Sequence, residues 1–500
     1  MRLRTISFAL ALLFMSATAF AQSPAPTAPL DLDPDPELLS LSRVEGPAAA
    51  MQPAPAPGDS RACDGCPPRG VGRALLQTTG INVIYGLANL VRGQDTAKIT
   101  PKTWWANMEH GWVWDLDDFV VNQIGHPYQG NNYFNSGRAN GLGFYESAAM
   151  AAFGSATWEY FGETNMPSLN DFINTTLGGI AIGEVLHRAG WLIRDPRATG
   201  RGRLMREIGA AVVDPVTGYN RFRTGDASRA TDKPADLVPS GLGSAASAGV
   251  LWRGTEERAI NATGQPFVEI DLLYGNLDGG RSRTPYDAFT MRMRLGGGAP
   301  VSEAKIRGRL IGQPLRNGRL QFTVAQSYDF QDNDAYRFGA QSFEGIFGVR
   351  HDFSSRTQLW LFGSGGLTVL GAINSLPPGV DVVPEEEVDP DAPQGVSEGP
   401  RYYDYGPGSN VGGAAILTRD RNVLATFLYE GRHLYSLDGV RANHFLQHIR
   451  TDLSLPLRGP VGLGVSGEYF SRHTFFQDDD RSETKFWYPQ FRAYLTWSFR

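Results

Sequence analysis

Residues 491–500 read FRAYLTWSFR. In an extended strand, successive side chains point to opposite faces. Phe491, Ala493, Leu495, Trp497 and Phe499 therefore share one face, and Arg492, Tyr494, Thr496 and Ser498 share the other. The same period recurs upstream. Val268, Ile270 and Leu272 alternate with Glu269 and Asp271, and Phe289, Met291, Met293 and Leu295 alternate with Thr290, Arg292 and Arg294. Ile306 and Leu310 alternate with Lys305, Arg307 and Arg309, and Leu320, Phe322 and Val324 with Gln321 and Thr323. Further strand candidates lie at 357–370, 414–419, 423–435, 443–455 and 461–473.

Alternation suits a soluble sandwich as well as a membrane barrel. Three features favour the barrel. Many strands run to about 10 residues with one apolar and one polar face, the pattern of a transmembrane strand. The polar face carries full charges, which a sandwich core would not take unpaired. The chain also begins MRLRTISFALALLFMSATAFAQ, with basic Arg2 and Arg4, a short apolar core and Ala19-Phe20-Ala21 as a small-residue cleavage site, which reads as a secretory signal peptide over 1–21. About twelve strands are expected from 241 to 500, with ten or fourteen as neighbouring solutions. Arg292, Arg294, Lys305, Arg307 and Arg309 would line the lumen, with Glu269 and Asp271 as neutralising partners. A salt-bridge network is favoured over an anion-attracting pore, because lumen charges commonly pair. The amphipathic last strand, with Phe499 near its end, looks like the signal read by the bacterial barrel-assembly machinery. The Pro- and acid-rich stretch 375–408 is expected to be a long outer loop.

Upstream of the strands the chain reads as helical, giving an α+β class. Pro- and Ala-rich residues 22–69 cannot bury a core and are expected to be a linker. Cys63 and Cys66, the two cysteines, fit a small disulfide loop in an exported chain. A helical domain is expected over 70–240. Leu75, Leu76, Thr79, Val83, Leu87 and Leu90 predict an amphipathic helix over 73–91. Thr100-Pro101 is a helix start. Trp104, Trp105, Trp112 and Trp114 suit a packed core or a membrane interface equally. No helix of the length needed to span a bilayer is expected, the longest uncharged candidate being 172–183. Ala148, Ala152 and Ala156 on one helix and Thr175, Gly179 and Gly183 on the next form small-residue stripes, which predict two antiparallel helices packed face to face. Ser168 and Asp171 read as a capping pair. Glu184 and Arg188 read as a surface i,i+4 salt bridge.

The stretches GWVWDLDDF (111–119), HPYQGNNYFNSGRANGLGFYES (126–147), GSATWEYFGE (154–163) and PSLNDFINTTLGGIAIGEVLHR (167–188) resemble the bacterial family known as domain of unknown function 3943. The resemblance covers about 79–223. It implies an exported, envelope-associated protein and brings no activity with it.

Polar residues in this stretch supply the candidate chemistry. His126, Glu146, Glu159 and Glu163 are the catalytic candidates, because two carboxylates and a histidine can do acid–base work. Asn170 and Asp171, with Arg292, Arg294, Arg307 and Arg309, are the candidate binding residues. Salt bridges and caps are the simpler reading, since no HExxH metal motif occurs. No cofactor is implied. A net charge of -6 without a basic patch gives no sign of nucleic-acid binding.

The sequence thus predicts an outer-membrane barrel with a helical plug or periplasmic module, in a structural, binding or transport role. Outer-membrane lipid, the assembly machinery and an envelope ligand are its expected partners. A barrel enzyme acting on envelope lipids and a soluble periplasmic binding protein are the alternatives.

Overall fold

The computed structural model describes residues 66–499 apart from 116, 196, 230, 232, 255–262, 277–281, 316–319, 334–336, 375–402, 421, 458 and 478–482. The signal peptide, most of the linker, Cys63 and most of the acidic loop lie outside the described residues. Cys66 is disulfide-bonded.

Twelve antiparallel strands close into a barrel. They are β1 (Leu242–Arg253), β2 (Gln265–Tyr274), β3 (Phe289–Gly296), β4 (Val301–Leu315), β5 (Leu320–Asp332), β6 (Arg337–Asp352), β7 (Thr357–Asn374), β8 (Tyr403–Arg419), β9 (Asn422–Tyr435), β10 (Ala442–Pro456), β11 (Val461–Phe476) and β12 (Thr484–Phe499). Closure is made by β1 on β12, with Ser244 opposite Phe499 and Arg253 opposite Gln490. A closed sheet leaves no unpaired edge, which is what a lipid environment requires of strands. One rim carries mostly short turns, together with the start of β1 and the end of β12. The other carries the longer connections, including 375–402. These are called the turn rim and the loop rim below.

The two faces of the wall differ as alternation predicts. The charged face points inward, because its ion pairs cross the lumen. Arg294 on β3 meets Glu468 on β11 at 3.2 Å, and Arg432 on β9 meets Asp329 on β5 at 3.1 Å. Over β7 to β12 the outward face is an exposed apolar belt that includes Leu367, Val411, Phe427, Phe445, Leu463 and Leu495. Such a belt is the counterpart of lipid, and it removes the soluble-protein alternative.

The helices are α1 (Val71–Val91), α2 (Pro101–His110), α3 (His126–Arg138), α4 (Phe144–Phe161), α5 (Leu169–Ile173), α6 (Gly179–Ile193), α7 (Gly200–Val213) and α8 (Pro215–Thr224). Local chemistry sets their starts. The Thr100 hydroxyl accepts from Thr103 N–H at 3.2 Å with Pro101 in the first turn. Ser168 accepts from Asp171 N–H at 3.3 Å, and Asp214 accepts from Thr217 N–H at 3.1 Å ahead of Pro215. Two π-helical turns interrupt the pattern, Val121–Gly125 before α3 and Asn174–Gly178 between α5 and α6.

The structure corrects three expectations. First, α3 lies between α4 and α6, so the small stripe of α6 packs on α3 and not on α4. A Cβ on Gly183 would sit 2.7 Å from the Phe134 ring. On α4 it is Ser147, Ala151, Gly154 and Ser155 that are buried, while Ala148, Ala152 and Ala156 are only half-buried. Second, α1 is long and apolar enough to cross a membrane. No charged residue separates Arg73 from Arg92.

Third, the helical module neither plugs the lumen nor caps a mouth. It packs against the outside of the barrel. Its partners on the wall are Tyr274, Phe289, Ile306, Tyr328, Phe330, Leu370, Ala372, Tyr403 and Tyr405, all buried in one cluster with Phe119, Tyr133, Phe134, Phe144 and Ile180. Each is out of phase with the lumen residues of its strand: Tyr274 with Glu269 and Asp271, Tyr328 with Ser327 and Asp329, Tyr403 and Tyr405 with Asp404. The docked strip climbs from the turn rim at the end of β2 to the loop rim at the start of β8.

Candidate functional site

The candidate residues fall into two groups on opposite sides of the barrel wall. On the outer side, near the loop rim, the start of α3, the end of α4 and α5 bring carboxylates together. His126 Nε2 lies 3.6 Å from Asp171 Oδ2, and neither ring nitrogen has a hydrogen-bond partner. Asn170 ties the cluster to the barrel. Its Oδ1 accepts from Asp115 N–H at 2.9 Å, and its Nδ2 donates to Asp171 Oδ1 at 2.9 Å and to the Tyr405 hydroxyl at 3.4 Å. Glu159, fully buried, accepts from Ser168 N–H at 2.8 Å through Oε2. That bond supplies the reciprocal half of a capping box from a neighbouring helix.

The turn after α4 holds Glu163, whose carbonyl accepts from Asn107 Nδ2 at 3.2 Å. Burial raises the Glu163 carboxyl well above its usual range, helped by the carboxylates of Asp171 and Asp115. Burial, then Asp171, pushes Asp115 up to about 8. Asp115 and its neighbour Asp117 belong to this cluster, although the sequence reading used GWVWDLDDF only as a family likeness. The excess of carboxyl groups in so short a stretch was the available signal.

Glu146 does not join them. It sits in the first turn of α4, where it accepts from Gly143 N–H at 3.0 Å and pairs with Arg69 at the surface. Glu159 is thirteen residues further along the helix, about 20 Å away. Glu146 is therefore a cap, separated from the other three catalytic candidates. Glu184 and Arg188 are not at the surface either. Glu184 is fully buried, forms an ion pair with Arg138 at 3.0 Å and accepts from Arg188 at 2.8 Å, while Arg188 lies over the Tyr274 ring of the barrel. Among the described residues no group of three or more His, Cys, Asp or Glu side chains has metal-holding geometry.

The second group lies in the lumen. Glu269 accepts from Arg294 at 2.7 Å, Arg492 at 2.9 Å and Arg450 at 3.2 Å. Glu468 pairs with Arg492 at 2.8 Å and accepts from Arg294 at 3.2 Å. Lys305 and Arg307 both pair with Glu430. The network bridges β2, β3, β4, β9, β10, β11 and β12. On its loop-rim side, Phe338, Ile373, Leu434, Leu446 and Phe470 pack together inside the barrel. On its turn-rim side lies a cavity of about 880 Å³, lined by Asp271, Arg292, Arg307, Arg309, Glu344 and Thr426 among others. Of the four arginines singled out, Arg292, Arg307 and Arg309 line this cavity. Arg294 is sealed within the network. Each has a carboxylate partner, Asp271 for Arg292 and Asp287 for Arg309, so the lumen is charge-compensated.

Residues 111–216 match the family model described as domain of unknown function (DUF3943). Among solved structures, the chain is similar to the NanC porin (8% identity, 50% of this chain and 98% of that one, TM-score 0.25). It is also similar to the toluene transporter TodX of Pseudomonas putida (8% identity, 53% and 90%, TM-score 0.20) and to the outer membrane protease OmpT of Escherichia coli (10% identity, 52% and 97%, TM-score 0.19). No curated protein sequence matches the chain.

Proposed function

We propose that this is an outer-membrane protein whose lumen is a blind, charge-lined ligand pocket and not a conduit. One observation carries the reading. The Glu269 and Glu468 ion-pair network and the Phe338 cluster lie inside the barrel between the 880 Å³ cavity and the loop rim. On this reading the cavity opens toward the turn rim, which in barrels of this kind is the periplasmic side. Its ligand would be a polar envelope molecule bearing both charges or an anionic group, met by Arg292 and Arg307, whose side chains keep 28% and 26% exposure.

The closed barrel and its apolar belt support an outer-membrane location. The same reading has β12 recognised by the assembly machinery and the N-terminal signal directing export. Planar-bilayer recording of the purified full chain tests it. The expected result is no steady conductance at neutral pH, with Arg292→Ala or Arg307→Ala weakening capture of envelope small molecules detected by mass spectrometry. A steady open channel in the unmodified protein overturns the blind-pocket reading.

A further inference from the structure

We propose that the helical module is itself embedded in the bilayer beside the barrel, with the exposed face of α1 in contact with lipid acyl chains. This rests on the outer-membrane reading above. The module occupies the outward wall of β2 to β8, from Tyr274 at the turn rim to Tyr403 at the loop rim. Beside the docked strip on β7 and β8, and over β9 to β12, that same surface is the exposed apolar belt. Whatever covers the wall at this height displaces lipid, so its own outer surface faces lipid in turn.

The outer surface of the module is built for that contact. On α1, Leu76, Val83, Ile84, Leu87, Leu90 and Val91 are exposed, between 49% and 87%. A helix of 21 residues is about 31 Å long, against about 30 Å of hydrocarbon. Arg73 and Arg92 bracket the uncharged run, where long cationic side chains reach the interface.

The direction of α1 also fits. At its start, Gly70 N–H donates to Asn140 O at 2.9 Å, beside the turn where α4 begins and Phe144 stacks on Tyr286 of the β2–β3 connection. Further along, Asn82 bonds Thr157 and Tyr85 meets Trp158 near the end of α4. α1 therefore rises from the turn rim to the loop rim, parallel to α4. At that upper level Trp105 is 61% exposed and Trp112 40% exposed, the position of an interfacial aromatic belt.

Where α1 meets α3 and α4, polar side chains find partners within the bundle, as lipid requires of them. Asn82, Asn132, Tyr85 and Tyr133 hydrogen-bond one another or their neighbours between α1, α3 and α4. Contact between backbones at Gly130 and Gly179 is of the small-residue kind used by membrane helices.

The test uses the full chain in phosphatidylcholine vesicles with plain or brominated acyl chains, with Ile84→Cys, Leu87→Cys and Gln94→Cys labelled by an environment-sensitive fluorophore without reductant. The label at positions 84 and 87 should emit blue-shifted and lose more than half its intensity in brominated lipid, while at Gln94, beyond Arg92, it should do neither. Water-like, unquenched emission at 84 and 87, with heat-modifiable gel migration retained, overturns the embedded module and leaves the barrel reading standing. Efficient 84–84 crosslinking would assign the face to a second copy and also overturn it. Loss of heat modifiability and extraction by carbonate would remove the outer-membrane reading together with this one.

Discussion

The hydroxyl of Tyr328, on the outward face of β5, donates to the carbonyl of Gln123 at 2.6 Å. Gln123 lies in the π-helical turn before α3, and the second π-helical turn makes a matching contact. Leu177 O accepts from Gln326 Nε2 at 2.9 Å, and Gln326 in turn accepts from the Tyr286 hydroxyl at 3.0 Å. A π turn widens the helix and re-aims its carbonyls. Here each of the two turns offers one to the barrel wall. Tyr328→Phe and Gln326→Leu should each weaken docking by about 1 kcal/mol, since each removes a hydrogen bond and leaves a buried acceptor unsatisfied. The measurement is protease release of the module from folded protein. Release should rise in both variants, and more in the double variant, while the barrel keeps its heat-modifiable migration. Unchanged release would mean that the apolar cluster alone holds the module.

Gly130 and Gly179 set the spacing of α3 and α6. A Cβ on Gly130 would sit 2.9 Å from Gly179 Cα, and one on Gly179 would sit 2.6 Å from Gly130 Cα. Backbone atoms cannot rotate out of the way as a side-chain end can. Gly130→Ala or Gly179→Ala should therefore cost at least the about 1–3 kcal/mol of ordinary overpacking. Gly72→Ala, where a Cβ meets nothing within 4 Å, is the control and should be neutral or slightly stabilising. Thermal or urea unfolding of the module, followed by proteolysis, distinguishes the two.

Much of the barrel was legible from alternation because its faces meet opposite media, ions inside and lipid outside. β1 and β6 escaped notice for physical reasons. β1 reads LGSAASAGVLWR, whose small residues give little contrast. On β6, Gly339 and Gln341 hold outward positions because Gln123 and Gly178 of the module lie against them. The site of docking was hidden by the same ambiguity. Tyr328, Tyr403 and Tyr405 pass for an aromatic belt, and only Gln326 and Gln341, polar at outward positions, marked a covered wall. Among the site residues, the sequence set His126, Glu146, Glu159 and Glu163 together and put Asp171 with the binding residues; the fold instead brings Asp171 beside His126 and leaves Glu146 at the far end of α4, since spacing along a chain does not show which end of a helix a carboxylate occupies.

Glu269 holds the lumen network together. It contacts Arg294, Arg450 and Arg492, all at most 4% exposed, and reaches Arg292 at 3.7 Å. Glu269→Ala would leave several guanidinium groups buried beside one another without their shared acceptor. Removing one partner of a buried ion pair costs about 3–5 kcal/mol, and the urea midpoint of barrel unfolding in lipid should fall accordingly. Asp352→Ala removes the partner of Arg350 in a pair that is 33% and 46% exposed. Exposed pairs contribute about 0–1 kcal/mol, so that variant should leave the midpoint nearly unchanged. Equal shifts in the two would show that the network is solvated and easily rearranged.

Asp115 gives the outer cluster a pH dependence of definite sign. Burial and then the Asp171 carboxylate push its pKa up to about 8 from 3.8, against the smaller lowering effects of the Asp117 backbone N–H and of His126. The folded state thus keeps a proton that the unfolded chain releases at the ordinary carboxylate value. Folded protein binds more protons between those two values, so stability must decline as pH rises from about 4 and the loss is complete above about 8. Trp114, adjacent in sequence, stacks on Tyr405 of the barrel with ring centres 5.7 Å apart. Undocking there would expose the 111–119 segment. Chymotrypsin cleavage within it should increase from pH 5 to pH 9 in the unmodified protein and change much less in Asp115→Asn, which carries no titrating group at that position. Cleavage with the opposite slope, or an identical slope in Asp115→Asn, would assign the titration to another member of the cluster.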